Sequence, residues 1–188
     1  MKKDNQSWRD FKALIATPDL PALGPTPRAG RLPVLELNQK IDRFLADTNL
    51  NAALQASVRS AALLWHDYLD ESHTISQNIP GADGSFLHGI MHRREQDYSN
   101  AKYWFHRVGR HPAFVLIATQ AERLLDGRGE KELASSLVPG GHWDPFAFVD
   151  ECELATRRSS MESITQALRA VQDVEFNSLL SHILSGSY

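Results

Sequence analysis

From Leu35 onward the apolar residues of this chain recur at intervals of three and four, a spacing that lines one face of an α-helix and cannot line one face of a strand. Leu37, Ile41, Phe44 and Leu45 set the first such stripe and predict an amphipathic helix ending near Asp47. Leu54, Val58, Ala61, Ala62, Trp65, Tyr68 and Leu69 set a second, which the same spacing carries to about Ser76, with Asn49 and Asn51 available as caps. Further helices are expected over Ser85 to Arg94, Tyr98 to Val108, Pro112 to Leu125, Glu130 to Leu137, Pro145 to Arg157 and Ser160 to Leu184, the last with a break near Asp173. Composition agrees: 23 Leu and 20 Ala stand against 8 Val, 8 Ile and 7 Thr, so good helix formers outnumber β-branched residues almost two to one. The expected fold class is all-α, an irregular helical bundle.

Five of the nine prolines, Pro18, Pro21, Pro25, Pro27 and Pro33, fall with Gly24 and Gly30 in one stretch that can be neither helix nor central strand. The chain therefore divides into an N-terminal helix and Pro-rich arm over residues 1–33 and a single all-α domain over 34–188. The arm's short helix, roughly Ser7 to Ala16, carries Trp8, Phe11, Leu14 and Ile15 at helical spacing, positioned to pack back on the body. Pro80 to Gly84 reads as a turn, Pro112 and Pro145 suit first-turn positions, and Ser185-Gly186-Ser187 reads as a flexible stop.

Charge and cysteine narrow the function classes. A net charge of −3 is too small for a generic polyanion binder, so nucleic acid is not an expected partner. The single cysteine, Cys152, excludes an internal disulfide framework and a Cys-only metal site, and it reads as a small core residue. The basic start leads into Trp8-Arg9-Asp10-Phe11-Lys12 rather than an apolar run, so neither a signal peptide nor a membrane span is expected, and a cytoplasmic location is the working expectation. Serines sit in no Gly-x-Ser-x-Gly turn, and the phosphate-cradling glycine loops of nucleotide-binding proteins do not occur.

The run Leu87 to Val108 resembles one tetratricopeptide-type helical hairpin. Gly89 stands twelve residues before Ala101 at the motif's two small contact positions, Asp97-Tyr98 marks the turn, and Phe105 follows Ala101 by four. His88 and His92 replace the motif's usual Leu and aromatic, Pro112 comes one residue early, and no second copy is visible, so the resemblance implies a packed αα-hairpin rather than a peptide-binding array. The runs Asp70-Glu71-Ser72-His73-Thr74-Ile75-Ser76-Gln77, His88-Gly89-Ile90-Met91-His92-Arg93-Arg94-Glu95, Ser99-Asn100-Ala101-Lys102-Tyr103-Trp104-Phe105 and Trp143-Asp144-Pro145-Phe146 resemble those of a group of uncharacterised bacterial and fungal proteins. That resemblance spans roughly Ala62 to Glu153 and implies no activity.

Six of eight histidines, His66, His73, His88, His92, His106 and His111, lie between positions 66 and 111. On one continuous helix His66, Asp70 and His73 stand at i, i+4 and i+7, and His88, His92 and Glu95 repeat that geometry on the next. Should the two faces meet, four imidazoles and two carboxylates converge, a donor set that suits a divalent transition metal, with His88, His92 and Glu95 as the metal candidates. The competing reading is that half-exposed histidines hydrogen-bond to nearby carboxylates. Gly89 replaces the glutamate of a His-Glu-x-x-His protease motif. His66-Asp67 is similar to the paired His-Asp of the all-α HD phosphohydrolases, but no histidine precedes it.

Arg93 and Arg94 offer fork-shaped donors to an anion; being consecutive they cannot share a face, so one is expected at a pocket as an anion clamp, Arg93, and the other solvated. Segment charges suggest instead internal pairing: four acids and no Lys or Arg between Trp65 and Asp83 face five Lys or Arg and two acids between Gly84 and Pro112. Tyr98, Tyr103 and Trp104 offer rings for stacking. In the loop Gly140 to Phe146, His142 and Asp144 are further ligand candidates, although Asp144 before Pro145 is also an ordinary helix N-cap. The expected function is binding of a small polar or anionic ligand, with or without metal, in a His-rich pocket formed by His66, Asp70, His73, His88, His92, Arg93 and Glu95, with His142 and Asp144 added from the loop. The alternative is a non-catalytic helical interaction module, with homo-oligomers as one outcome.

Overall fold

The computed structural model describes residues 9–158 and 162–185. Among these it contains helices and no strand: α1 (residues 9–14), α2 (Val34–Ala46), α3 (Ala52–Trp65), α4 (Leu69–Ser76), α5 (Gly81–Arg94), α6 (Tyr98–Val108), α7 (Ala113–Arg128), α8 (Lys131–Leu137), a 3₁₀ turn (Pro139–Gly141), α9 (Pro145–Arg157) and α10 (Glu162–Ser185). The all-α expectation holds. Ser7, Trp8, Ser160 and the Gly186-Ser187 stop lie outside the described residues.

Side-chain caps set the starts of α3, α6 and α9. The side chain of Asn51 accepts from Leu54 N at 3.0 Å, Asp97 from Asn100 N at 3.2 Å, and Asp144 from Phe146 N and Ala147 N at 2.9 and 3.1 Å. Pro145 occupies the first turn of α9. The arm is not peripheral to the core: Phe11, Ile15 and Leu23 are buried in the same apolar cluster as the body, with Phe11 edge-on to Phe44. Arg169 and Gln172 of α10 clasp the arm by donating to the carbonyls of Leu20, Pro21 and Ala22.

Three boundaries depart from the sequence reading. The second helix does not run to Ser76; it stops at Trp65 and restarts at Leu69. Between them Asp67 takes a φ of +64, and its carboxylate is gripped by Arg28 N and Nε at 2.9 Å and by Arg94 Nη2 at 2.6 Å. Charge-assisted hydrogen bonds to a buried carboxylate outweigh the strain of a left-handed non-glycine residue. α5 starts at Gly81, four residues early, because Gly84 packs against the preceding turn so closely that a Cβ there would lie 2.2 Å from Ile79 O. Gly84 is thus a helical glycine at a close approach, whereas Gly81 opens the helix at a φ of +85 with no atom near a would-be Cβ. α10 continues through Asp173, whose carboxylate and carbonyl accept from Asn177 one turn on.

α5 is the axis of the molecule. Every residue from Asp83 to Arg94 is buried, so the helix has no solvent face although it carries two histidines and two arginines. It pairs with α6 as an αα-hairpin in which Gly89 admits the Phe105 ring, which would stand 3.1 Å from a Cβ at that position. α3 and α4 cover another side, and α10 reaches it through a salt bridge, Arg93 to Glu175. No helix among the described residues is long and apolar enough to cross a membrane.

Candidate metal centre

A helix without a wet face must match its polar side chains internally or leave them orphaned. The arginines are matched in charge, although the Nε of each is buried without a hydrogen-bond partner. Arg93 donates to both oxygens of Glu175 at 3.0 and 2.5 Å and lies over Phe148 at 4.2 Å, and Arg94 donates to Leu64 O at 2.5 Å and to Asp67. Both are fully buried, so neither is solvated and Arg93 is no anion clamp. The expectation failed because the partner of Arg93 lies 82 residues away on α10. Internal charge pairing is borne out for Arg94 and Asp67, whereas Asp70 stays exposed.

The histidines are treated differently. His88 and His92 of α5 meet His73 of α4, with ring centroids at 4.7 Å (73 to 88), 5.2 Å (73 to 92) and 4.7 Å (88 to 92). One ring nitrogen from each lies within 4.8 Å of the other two. Tetrahedral zinc with Zn–N near 2.0–2.1 Å spaces its nitrogens by about 3.3 Å, so the rings need close by at most about 1.5 Å. His73, the half-buried member, has the freedom to do so. Trp104 from α6 stacks on His88 at 4.0 Å with an interplanar angle of 19°, fixing that ring between indole and His92.

Hydrogen bonding separates the three rings. His92 Nδ1 stands 3.0 Å from Glu95 Oε2, and Asn100 Nδ2 lies 3.2 Å from His92 Nε2. His88 Nδ1 is buried with no hydrogen-bond partner. Burial, reinforced by His92 and His73 as potential like charges, pushes the His88 pKa down to about 4, so the ring is neutral at pH 7. Burial also lowers His92, against the opposing pull of Glu95. Neutral imidazole is the form that ligates metal.

Of the residues expected to converge, His73, His88, His92 and Glu95 do so. His66 does not, because the break at Asp67 removes it from the α4 face; it is buried against the arm, where its Nδ1 accepts from Leu32 N at 3.3 Å. With Asp67 gripped by Arg28 and Arg94, the His66-Asp67 pair has no carboxylate to offer a metal. Asp70 faces a separate surface cleft of about 400 Å³ that it shares with Glu71 and Glu95. His142 and Asp144 lie on the α8–α9 connection, away from these rings: His142 is exposed and Asp144 caps α9. Cys152 is a core residue, as expected, its thiol pushed up to about 12 by burial.

A second cluster was not legible in the sequence. Asp83 in the first turn of α5, His111 after α6 and His182 on α10 also bring three ligand-type atoms within 4.8 Å of one another. His111 Nδ1 accepts from Ala113 N at 3.1 Å, which places its proton on Nε2, and Nε2 donates to Asp83 Oδ1 at 2.8 Å. His182 Nε2 stands 3.8 Å from that same oxygen. No periodicity links positions 83, 111 and 182, so only the folded chain reveals them.

The chain matches no family model, and comparisons with curated proteins and with solved structures likewise returned no match.

Proposed function

We propose that this protein binds a divalent transition metal ion through His73, His88 and His92, and that the ion's remaining coordination positions receive a small polar or anionic ligand. The observation that carries this reading is the buried, unpartnered Nδ1 of His88 in a ring already neutral and clamped beside two other imidazoles. An orphaned buried ring nitrogen costs about 1–3 kcal/mol, and a metal ion bound to it as the unprotonated nitrogen both satisfies it and explains why three rings crowd together. Glu95 fits the second layer of such a site: accepting from His92 Nδ1–H, it orients the ring, and the ion would take Nε2 in place of the Asn100 amide, the carboxylate–histidine–metal arrangement. Three protein nitrogens leave at least one position open, as in sites that act on a bound molecule rather than only staple a fold. Asn100, released from His92 Nε2 when the ion binds, would be left beside the site to meet a bound ligand.

Elemental analysis of tag-free protein purified without chelator tests this. Near one equivalent of zinc or another first-row transition metal is expected, lost in the His88→Gln/His92→Gln double variant with the fold retained. Absence of metal even after incubation with zinc, manganese and iron would leave the three rings as core packing and favour the interaction-module reading.

A further inference from the structure

The Gly140 to Phe146 loop takes no part in the metal centre, yet it forms one wall of the largest cleft described in the molecule, about 920 Å³. The opposite wall comes from the start of α7. Phe114, Val115, Pro139, Trp143, Pro145 and Phe146 make the cleft apolar. Val115 is 75% exposed and Phe146 37% exposed, so large side chains stand in solvent on both walls of the same concavity. The backbone that shapes it turns at Gly109, Gly140 and Gly141, with φ of +62, +60 and +80, conformations that side-chain-bearing residues rarely adopt.

Polar groups in this cleft are few, and they include one guanidinium and one carboxylate. Arg110 is exposed at the mouth and makes no hydrogen bond or ion pair with any described residue. His142 adds a second basic side chain. The lining acid, Asp144, points its Oδ1 at the N-terminus of α9, where two backbone N–H groups hold it. His111 has its hydrogen bonds to Ala113 and Asp83 in place. The indole N–H of Trp143 is buried without an acceptor. A concavity of this size with mainly apolar walls and a few convergent polar groups has the make-up of a small-molecule site, and its charged group without a hydrogen-bond partner among the described residues is the Arg110 guanidinium.

We propose that this cleft binds an amphipathic organic monoanion, an aliphatic or aromatic carboxylate or sulfonate, with its apolar body between Val115, Trp143 and Phe146 and its anionic group on the Arg110 guanidinium. The guanidinium fork meets such a group with two parallel hydrogen bonds. The site shares no residue with the three-histidine centre and does not depend on metal.

The test is titration of the full chain with 1-anilinonaphthalene-8-sulfonate, followed by displacement with decanoate and, separately, with decanol. Saturable one-site binding is expected, with decanoate displacing the probe roughly tenfold better than decanol. Arg110→Gln removes that preference, and Val115→Asp weakens probe and both competitors. Both positions are exposed, so the thermal melting of the variants stays at the wild-type value. His88→Gln leaves all of these affinities unchanged. Lack of saturable binding, equal displacement by decanol and decanoate in the wild type, or indifference to either cleft substitution overturns the proposal.

Discussion

Two triads of potential metal ligands draw members from the same helix, one towards each end of α5, and they differ in where their nitrogens are directed. At the C-terminal end, His88 has a buried nitrogen with nothing to bond and His92 has a carboxylate behind it rather than in front. At the N-terminal end, a backbone N–H and the Asp83 carboxylate claim both nitrogens of His111. For His111 to ligate a metal through Nε2, it would have to break the hydrogen bond to Asp83 and carry a proton on Nδ1 facing the Ala113 N–H. Proximity of donors is common to both clusters; a buried ring nitrogen without a hydrogen-bond partner, that of His88, marks the first. The first is accordingly read as a metal centre, and the second as a clasp that fastens α10 and the α6–α7 connection to α5.

Cutting the clasp should give the largest change in stability. Asp83→Ala leaves the His111 Nε2–H buried without an acceptor, and a loss of about 1.5–3 kcal/mol is expected in chemical denaturation, with metal content unchanged. A variant that lost metal along with stability would erase the distinction between the two clusters.

Glu95→Gln probes the layer behind the other triad. Metal affinity should fall by about 10- to 100-fold, read by competition with a chromophoric chelator, while the stability of the metal-free protein barely moves because Glu95 is only half-buried. Unchanged affinity would mean that the glutamate merely pairs with His92.

Acid sharpens the comparison further. The folded His88 pKa of about 4 lies below the ordinary histidine value near 6.5, so between these pH values the unfolded chain takes up a proton that the native state refuses. Metal-free protein should therefore lose stability as pH falls from about 6.5 towards 4, and none of this contribution operates above 6.5. His88→Gln should be less acid-sensitive than wild type by about 1–2 kcal/mol at pH 5. Parallel stability curves for the two proteins would show that burial of His88 is not what holds its ring neutral.

What could be foreseen from the sequence follows the range of the interactions. His88, His92 and Glu95 lie on one turn-by-turn stripe of an uninterrupted helix, so spacing alone placed them correctly. His66 was misplaced because the helix breaks at Asp67, and no glycine or proline marks the break; it is imposed by Arg28 and Arg94 from distant segments. Arg93 reads as an anion clamp at a pocket because Glu175 is unrecognisable as its partner until α10 folds against α5. Trp104 was available as a stacking ring, but its choice of His88 depends on Gly89 letting α6 approach α5 closely. Caps at Asn51 and Asp144 are legible because each acts within three residues.

Cobalt titration of chelator-stripped protein tests the central claim most directly, because tetrahedral Co(II) reports its ligands by visible absorption. The account predicts saturation at one equivalent with quenching of Trp104 beside His88, abolished by His92→Gln and preserved in His111→Gln. Failure to develop the visible bands, or bands that survive His92→Gln and vanish in His111→Gln, would contradict the assignment of the metal to the three-histidine centre.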